Sequence, residues 1–203
     1  MKKNKISKNW INKQRRDVYV RRSKLEGYRS RAVYKLQEID KKFKIFKNGL
    51  SIVDLGAAPG SWSQYALKNS KSGKIVSIDL IDFEKIENIY QIKGDFTEDR
   101  YKEKIIGYFD TKVDIVLSDM AVNTTGNKNL DSINTSELCI EAMNFSKEVL
   151  KEDGKFISKI FMGSTFNEII YECKKIFKEN KVFKPAASRK DSKESFIICK
   201  FLR

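Results

Sequence analysis

Histidine is absent from this chain of 203 residues, and cysteine and proline are scarce, with three and two copies. Without histidine, Ser-His-Asp and Cys-His nucleophile systems and histidine-containing zinc sites are excluded. Cys139, Cys173 and Cys199 lie far apart and form no C-x-x-C pair, so neither a disulfide framework nor a thiolate metal site is indicated. We therefore predict a protein that binds no metal and works in a reducing, intracellular compartment.

Long apolar runs are also missing. No segment approaches the roughly 20 apolar residues of a membrane span, and the N-terminus lacks the apolar stretch of a secretory signal. The sequence predicts no membrane contact and a cytoplasmic location, with a mitochondrion or another organelle as the alternative in a eukaryotic cell. Since no proline-rich or low-complexity linker interrupts the chain, we expect one domain over residues 1–203, acting as a monomer.

Acidic residues are scarce in the first 50 positions, which hold 17 Lys/Arg against 4 Asp/Glu, whereas the remainder holds 24 against 23. A basic segment attached to a nearly neutral domain indicates a surface for a polyanion, most often nucleic acid. The alternative is a solvated lysine-rich tail. We predict that residues 1–48 form a basic helical extension packed on the domain. The basic side chains expected to contact nucleic-acid phosphates are Arg15, Arg16, Arg21, Arg22, Arg29, Arg31, Arg189 and Lys190.

Short β-branched runs alternate with longer helical patterns from residue 51 onward, which is typical of a parallel α/β sheet with crossover helices. We predict strands at residues 51–55, 74–80, 90–93, 113–118, 155–161, 181–185 and 195–201. We predict helices at residues 61–69, 98–108, 135–150 and 166–179, and an amphipathic helix at 30–43 whose polar face carries Lys35. The last two strands follow each other without a helix, so one must run antiparallel at or near the sheet edge.

A glycine-rich turn, DLGAAPG at residues 54–60, follows the first predicted strand and opens a helix. Glycines there let the backbone turn tightly and approach a ligand near the helix N-terminus, which is typical of a nucleoside-cofactor site. The turn matches neither the P-loop nor the G-x-G-x-x-G pattern. Asp79 ends the second strand, where a carboxylate can accept hydrogen bonds from ribose hydroxyls. Asp95 follows the third strand, where it can accept a hydrogen bond from an adenine amino group. The alternative is that both aspartates merely cap the following segments.

Six motifs extend this pattern along the chain. They are RSRAVYKL (29–36), VDLGAAPGSWSQY (53–65), GDF (94–96), SDMAVN (118–123), KIF (159–161) and KPAASRKDSKESF (184–196). With them the chain resembles the FtsJ/RrmJ family of S-adenosylmethionine-dependent RNA ribose 2′-O-methyltransferases, from about Trp10 to the C-terminus. The resemblance implies a Rossmann-like class I methyltransferase fold, with about seven mostly parallel strands, one antiparallel strand and helices on both faces. The chain departs from the family pattern at Val122, usually proline, and at Ser158, commonly valine.

The resemblance also implies the site residues. The family's Lys-Asp-Lys-Glu tetrad falls on Lys35, Asp119, Lys159 and Glu194. The positions implied to bind S-adenosylmethionine are Asp54, Gly56, Pro59, Gly60, Ser61, Trp62, Asp79, Asp95, Phe96 and Asp119. A lysine is a poor base at its usual pKa of about 10.4. Burial beside Lys35 would favour a neutral Lys159, whereas the two carboxylates would favour its cation. The sequence leaves open whether Lys159 removes the hydroxyl proton or steers the hydroxyl as a cation.

The predicted function is methyl transfer from S-adenosylmethionine to the ribose 2′-hydroxyl of one nucleotide, a uridine, in large-subunit ribosomal RNA. The partner is the ribosomal RNA itself or a pre-assembled large subunit. The alternatives are methylation of a tRNA anticodon loop, methylation of an mRNA cap, a non-catalytic RNA-binding factor in ribosome assembly, and a small-molecule methyltransferase. An intact tetrad favours an enzyme over a binding factor, and the concentrated basic charge disfavours a small-molecule substrate.

Overall fold

The computed structural model describes residues 16–121, 128–189 and 191–203, with backbone only for residues 128–132. Its helices are α1 (Val18–Leu25), α2 (Val33–Phe43), α3 (Ser61–Asn69), α4 (Asp99–Tyr108), α5 (Lys128–Val149) and α6 (Phe166–Ile176). Its strands are β1 (Ile52–Leu55), β2 (Ile75–Asp79), β3 (Tyr90–Lys93), β4 (Val113–Ser118), β5 (Leu150–Phe161), β6 (Phe177–Phe183) and β7 (Glu194–Leu202). Arg15, Lys190 and the departure at Val122 lie outside the described residues.

The seven strands form a single sheet in the order β3-β2-β1-β4-β5-β7-β6. β1 to β5 pair in parallel, whereas β7 runs antiparallel to both of its neighbours, β5 and β6. The predicted mostly parallel sheet with one antiparallel strand is thereby confirmed. The strand order reverses direction between β1 and β4, and open α/β sheets bind ligands in the crevice beyond the carboxyl ends of the strands at such a point.

Alternating side chains of the central strands build one apolar core on each face of the sheet. Ile52, Ile115 and Ile157 pack with α2 and α3 on one face. Val53 and Val116 pack on the other face with α4, α5 and α6. Helices therefore cover both faces, as expected. Among the described helices, none has the length and hydropathy of a bilayer-spanning segment.

The described part of the basic extension contains α1 and α2. Asp17 caps α1, because its carboxylate accepts the backbone N–H groups of Tyr19 and Val20 at 3.0 and 3.4 Å. α2 buries Leu36 and Ile39 against the sheet at helical spacing. The helix begins at residue 33 rather than 30, because the preceding residues bond to the start of α3 instead. α2 is therefore fixed next to the crevice.

The largest differences from the predicted boundaries lie near the C-terminal edge of the sheet. The helix predicted to reach residue 179 ends at 176, and the strand predicted at 181–185 occupies Phe177–Phe183. Lysine and glutamate in this segment favour a helix, but pairing with β7 overrides that preference. The strand buries Phe177 in a stack with Phe156 of β5, with ring centroids 6.0 Å apart. α5 and β5 likewise start earlier than predicted, at residues 128 and 150.

Candidate active site

Lys35, Asp119, Lys159 and Glu194 meet in one cluster, referred to below as the tetrad. Lys35 Nζ lies 2.8 Å from Glu194 Oε2 and 3.4 Å from Asp119 Oδ2. Lys159 Nζ donates to the backbone carbonyl of Asp119 at 2.5 Å and lies 3.1 Å from its Oδ1. The four side chains are only 8 to 15% exposed. Two amino groups and two carboxyl groups thus share a largely buried site.

The sheet explains why residues so distant in sequence meet. Asp119 directly follows β4, and Ser118 pairs with Ser158, so Lys159 lies beside it on the parallel neighbour β5. Because β7 is antiparallel, its first residue, Glu194, pairs with Phe161 at the carboxyl end of β5. Lys35 comes from α2, which packs over this end of the sheet. The ends of β4, β5 and β7 and the helix α2 thus bring together the tetrad that the resemblance implies.

Charges within the tetrad hold two of its members in their ionised forms. Burial lowers the pKa of Lys35, but the carboxylates of Asp119 and Glu194 outweigh burial and raise that pKa above its usual value. Burial raises the pKa of Asp119, but the ion pairs with Lys159 and Lys35 outweigh burial and leave that pKa below its usual value. Lys35 is therefore an ammonium and Asp119 a carboxylate at neutral pH.

Aromatic rings support the tetrad from the apolar side. The ring of Phe196 lies 5.7 Å from Lys35 Nζ, and Trp62 packs on Phe196 with ring centroids 5.7 Å apart. The indole N–H of Trp62 donates to the carbonyl of Ala32 at 2.9 Å. Trp62 is only 2% exposed, and its contact with the cofactor stays a prediction. Its ring packs behind Phe196 and Lys35. Burying the large indole also stabilises the core.

A polar cleft of about 360 Å³ opens beside the tetrad. Lys35 and Glu194 form part of its wall. The other lining residues are Ser30, Arg31, Ala32, Ala187, Arg189, Asp191 and Ser192. Such a lining of hydroxyls and charges suits a polar, hydroxylated substrate. A second cavity of similar volume lies between the ends of α4 and α5, and it is lined mainly by apolar groups away from the tetrad.

The glycine-rich turn has the geometry that its sequence predicts. Gly56 and Gly60 adopt φ angles of 71° and 104°, which residues with a side chain rarely adopt. A Cβ atom at Gly56 would lie 2.2 Å from Met120 Cγ, and one at Gly60 would lie 2.8 Å from Ile86 Cδ1. The turn therefore needs glycine at both positions, and it leads directly into α3. At the start of α3, the hydroxyl of Ser61 lies 2.7 Å from that of Ser30.

Asp79 and Asp95 both lie at strand ends beside this turn. The carboxylate of Asp79 accepts the N–H groups of Ala58 and Ile81 at 2.9 and 2.8 Å, so it also fixes the turn. Asp95 Oδ1 accepts both the N–H and the hydroxyl of Thr97, at 3.0 and 2.7 Å. Its second oxygen has no donor among the described residues. Asp95 can therefore still accept a hydrogen bond from a ligand.

The side chains of Asp54 and Phe96 are buried beside the turn, and their cofactor contacts stay predictions. Phe96 is 5% exposed and packs in the apolar core. Asp54 is buried and accepts the hydroxyl of Ser63 at 2.5 Å, and Ser63 also lies 2.7 Å from Ser77. Burial is the main cause that raises the pKa of Asp54 to about 7. Both side chains support the turn from the protein interior.

Arg29 and Arg31, predicted to contact RNA, are bonded to other parts of the protein. Arg29 Nη1 donates to the carbonyls of Pro59 and Glu84 at 3.1 and 2.5 Å, and Nη2 donates to that of Lys85 at 3.0 Å. Arg31 donates to the carboxylate of Asp17 and to the backbone carbonyl of Ala187. Arg31 also lines the cleft, and an RNA contact by either arginine stays a prediction. Charge counting cannot distinguish an arginine that faces solvent from one whose guanidinium binds carbonyls.

The remaining predicted basic contacts are on the surface. Arg16 and Arg21 are exposed. Arg22 is exposed too, but it pairs with Glu26 at 2.6 Å. Arg189 lines the cleft and lies 4.0 Å from the carboxylate of Asp17. An RNA contact by these four arginines remains a prediction.

Sequence reasoning missed two residues that hold the tetrad's surroundings. Glu38 accepts the backbone N–H groups of Ala186 and Ala187 at 2.6 and 2.9 Å. Ser188 donates its hydroxyl to Glu194 Oε1 at 2.7 Å. Glu38 lies three positions after Lys35 on α2, so helical spacing was a signal that both side chains share one face.

The comparisons with known proteins agree with this geometry. The family model described as FtsJ-like methyltransferase matches residues 28–202. The ribosomal RNA large subunit methyltransferase E of Pelagibacter ubique is 67% identical over 203 residues, covering 100% of both chains. Its namesake from Rickettsia akari is 48% identical, covering 95% of this chain and 87% of the relative.

Among solved structures, one from Plasmodium falciparum assigned as a ribosomal RNA methyltransferase matches with a TM-score of 0.78 and 36% identity. The match covers 86% of this chain and 98% of that one. The resemblance noted in the sequence and the Rossmann-like fold are thus both confirmed. This chain belongs to the FtsJ-like methyltransferase family.

Proposed function

We propose that the protein transfers a methyl group from S-adenosylmethionine to the ribose 2′-hydroxyl of a uridine in large-subunit ribosomal RNA. The observation that carries this proposal is the tetrad, which lies between the glycine-rich turn and the polar cleft. The two relatives named above are called large-subunit ribosomal RNA methyltransferases, which supports the RNA class. The uridine and the 2′-oxygen follow from the resemblance to the family.

The residues around the turn fit S-adenosylmethionine. Gly56 and Gly60 hold the positive φ angles that this tight turn requires, and neighbouring side chains leave no room for a Cβ at either position. Asp95 keeps one carboxylate oxygen for an adenine amino group. Oδ1 of Asp119 is buried and accepts no hydrogen bond from the described residues, although Lys159 Nζ lies 3.1 Å away. It suits the ammonium group of the methionine part.

Apolar side chains complete this fit. Leu80 and Ile81, which directly follow Asp79, are 66 and 68% exposed, so they offer apolar surface to an adenine ring. When bound, S-adenosylmethionine supplies a methyl group activated by its sulfonium sulfur. The chain's own residues would then orient the ribose and control its hydroxyl.

Lys159 is the residue that we assign to the ribose hydroxyl. Its Nζ donates to the carbonyl of Asp119 and lies 3.1 Å from the carboxylate, and an N–H group that is not used by the carbonyl can donate to the 2′-oxygen. This donor orients the oxygen and stabilises negative charge that develops on it. The hydroxyl proton leaves from that oxygen to water in the cleft. Lys35 and Glu194 form the wall that holds the ribose, and positioning supplies much of the rate enhancement.

The wider setting follows from the substrate. RNA phosphates would bind two sets of arginines. Arg16, Arg21 and Arg22 are exposed on the surface, and Arg189 lies at the cleft. Because the tetrad, turn and cleft all come from one chain, a monomer suffices for the reaction. A ribosomal substrate places the protein in the compartment where ribosomes are assembled. The residues described contain no group of three or more side chains that could hold a metal ion, and the proposed reaction requires none.

A labelled methyl donor tests the proposal. The wild-type protein should transfer label to large subunits or their RNA taken from cells that lack the modification, and mapping should place it on a uridine 2′-oxygen. Lys159→Met should reduce turnover by at least about a hundredfold, because the only group assigned to the hydroxyl is lost. Its affinity for S-adenosylmethionine should stay nearly unchanged.

A matched control is Lys155→Met, four residues earlier on β5, because Lys155 donates to the backbone carbonyls of residues 44 and 45, away from the tetrad. This variant should retain activity. Normal turnover by Lys159→Met would overturn the role of Lys159. Label on tRNA alone, or on a base, would overturn the proposed substrate.

A further inference from the structure

The segment before β7 is held by the same helix that supplies Lys35. Lys35 and Glu38 lie three positions apart on α2, so they project from one face. Glu38 accepts the N–H groups of Ala186 and Ala187, at 2.6 and 2.9 Å, while Lys35 Nζ pairs with Glu194 at 2.8 Å. α2 therefore holds both ends of residues 186–194, the backbone at one end and the carboxylate at the other.

Ala187 is held from its other side as well. Its carbonyl accepts the guanidinium of Arg31, and its fully buried side chain packs with Val33 and Tyr34. Both peptide groups of this residue thus have partners that belong to α2 or the residues just before it. A backbone fixed in this way leaves little freedom to the next residue, Ser188, which is 4% exposed.

Ser188 connects this fixed backbone to the tetrad through a hydrogen bond. Its hydroxyl donates to Glu194 Oε1 at 2.7 Å, while Oε2 accepts Lys35 at 2.8 Å. The backbone N–H of Glu194 donates to the hydroxyl of Ser192 at 3.1 Å. Each oxygen of the Glu194 carboxylate therefore has its own donor, and a charge-assisted hydrogen bond fixes its orientation.

We propose that Glu38 and Ser188 are positioning residues for methyl transfer. Glu38 fixes the backbone of residues 186–188, and Ser188 sets the orientation of the Glu194 carboxylate and, through it, of Lys35. Neither side chain lines the cleft, so neither touches the substrate. This inference rests on the proposed function, because it assigns a role within the same tetrad.

Turnover at saturating RNA and S-adenosylmethionine tests the inference. Ser188→Ala and Glu38→Ala should each lower kcat about tenfold, the loss expected when a hydrogen bond to a charged group is removed. Glu38→Gln should fall between Glu38→Ala and the wild type, because its carbonyl oxygen still accepts one of the two N–H groups. The KM for S-adenosylmethionine should not change.

A double-mutant cycle separates positioning from a general loss of structure. If Ser188 and Glu38 act through Glu194, then adding Ser188→Ala or Glu38→Ala to Glu194→Gln should lower kcat no further. The matched controls are Ser146→Ala, a buried serine on α5 that bonds to the Met143 carbonyl, and Glu103→Ala, an exposed glutamate on α4. Both should turn over like the wild type.

The outcomes distinguish this inference from the proposed function. Full additivity in the cycle, or wild-type kcat in Ser188→Ala and Glu38→Ala while Glu194→Gln is impaired, would overturn the positioning role alone. Wild-type turnover by Glu194→Gln would instead remove Glu194 from the catalytic machinery and the inference with it. Reduced kcat that is non-additive, with unaltered KM for S-adenosylmethionine, supports the inference.

Discussion

Replacing Asp54 by asparagine should stabilise the protein at neutral and alkaline pH. Burial is the main cause that raises the pKa of Asp54 to about 7, and the charges of Asp119 and Asp79 raise it further. The hydrogen bond from Ser63 acts in the opposite direction but is outweighed. Outside the fold the ordinary pKa of this carboxyl is 3.8. The folded protein therefore retains a proton on Asp54 that the unfolded chain releases in weak acid.

The size and sign of the effect follow from this difference in pKa. The retained proton favours the folded state fully below the unfolded pKa, and this contribution is lost as the pH rises through about 7. The gap between 3.8 and about 7 corresponds to about 4 kcal/mol of unfolding free energy. Asparagine does not titrate, and its carbonyl oxygen can still accept the Ser63 hydroxyl, so the variant should not lose stability in this way.

Urea unfolding of both proteins at several pH values, followed by the fluorescence of the buried Trp62, measures the effect. The stability of Asp54→Asn relative to wild type should rise by up to about 4 kcal/mol between about pH 4 and about pH 8. Asp153→Asn is the matched control, because Asp153 is exposed near the start of β5. Parallel stability curves for wild type and Asp54→Asn over this range would refute the reasoning about the buried carboxyl.

Two further predictions concern arginines with contrasting roles. Arg29→Ala should weaken S-adenosylmethionine binding about tenfold or more, because Arg29 joins the glycine-rich turn to the carbonyls of Glu84 and Lys85. Calorimetric titration measures the affinity, with Arg22→Ala as the control. Equal affinities of Arg29→Ala and wild type would contradict this role of Arg29. Replacing Arg16 and Arg21 by alanine should weaken RNA binding and reduce the magnitude of the slope of log K against log salt by roughly 2. Lys174→Ala with Lys178→Ala removes the same charge elsewhere on the surface and should leave that slope unchanged.

Much of the fold follows from local sequence patterns. The predicted bounds of β3, β4 and α3 agree with the structure, because β-branched runs bounded by turn residues and an amphipathic helix after glycine carry their own signals. The tetrad was also within reach, since parallel strands place their carboxyl ends at one edge of the sheet. Phe177 was misassigned because its partner, Phe156, lies on another strand, and local propensity contains no information about such pairs.

The roles of single polar side chains were less predictable. Glu38 bonds to a backbone 148 residues away, and no local pattern indicates such a partner. Arg29 and Arg31 have the same sequence signature as an RNA-binding arginine, yet both are largely buried, with side-chain exposures of 17 and 16%. Trp62, Asp54 and Phe96 lie in motifs next to the cofactor turn, but nearness in sequence did not reveal that their side chains point into the interior.

The antiparallel placement of β7 has a consequence for the newly made protein. The four strands that carry the glycine-rich turn and its carboxylates are complete by residue 118, so this half of the sheet can take shape while the rest of the chain is still being made. The surroundings of Lys35 and Lys159, by contrast, are complete only after β7, with Glu194, has been synthesised and has paired with β5. Under the proposed role of the tetrad, a nascent chain is therefore unable to modify RNA until its last strand has left the ribosome.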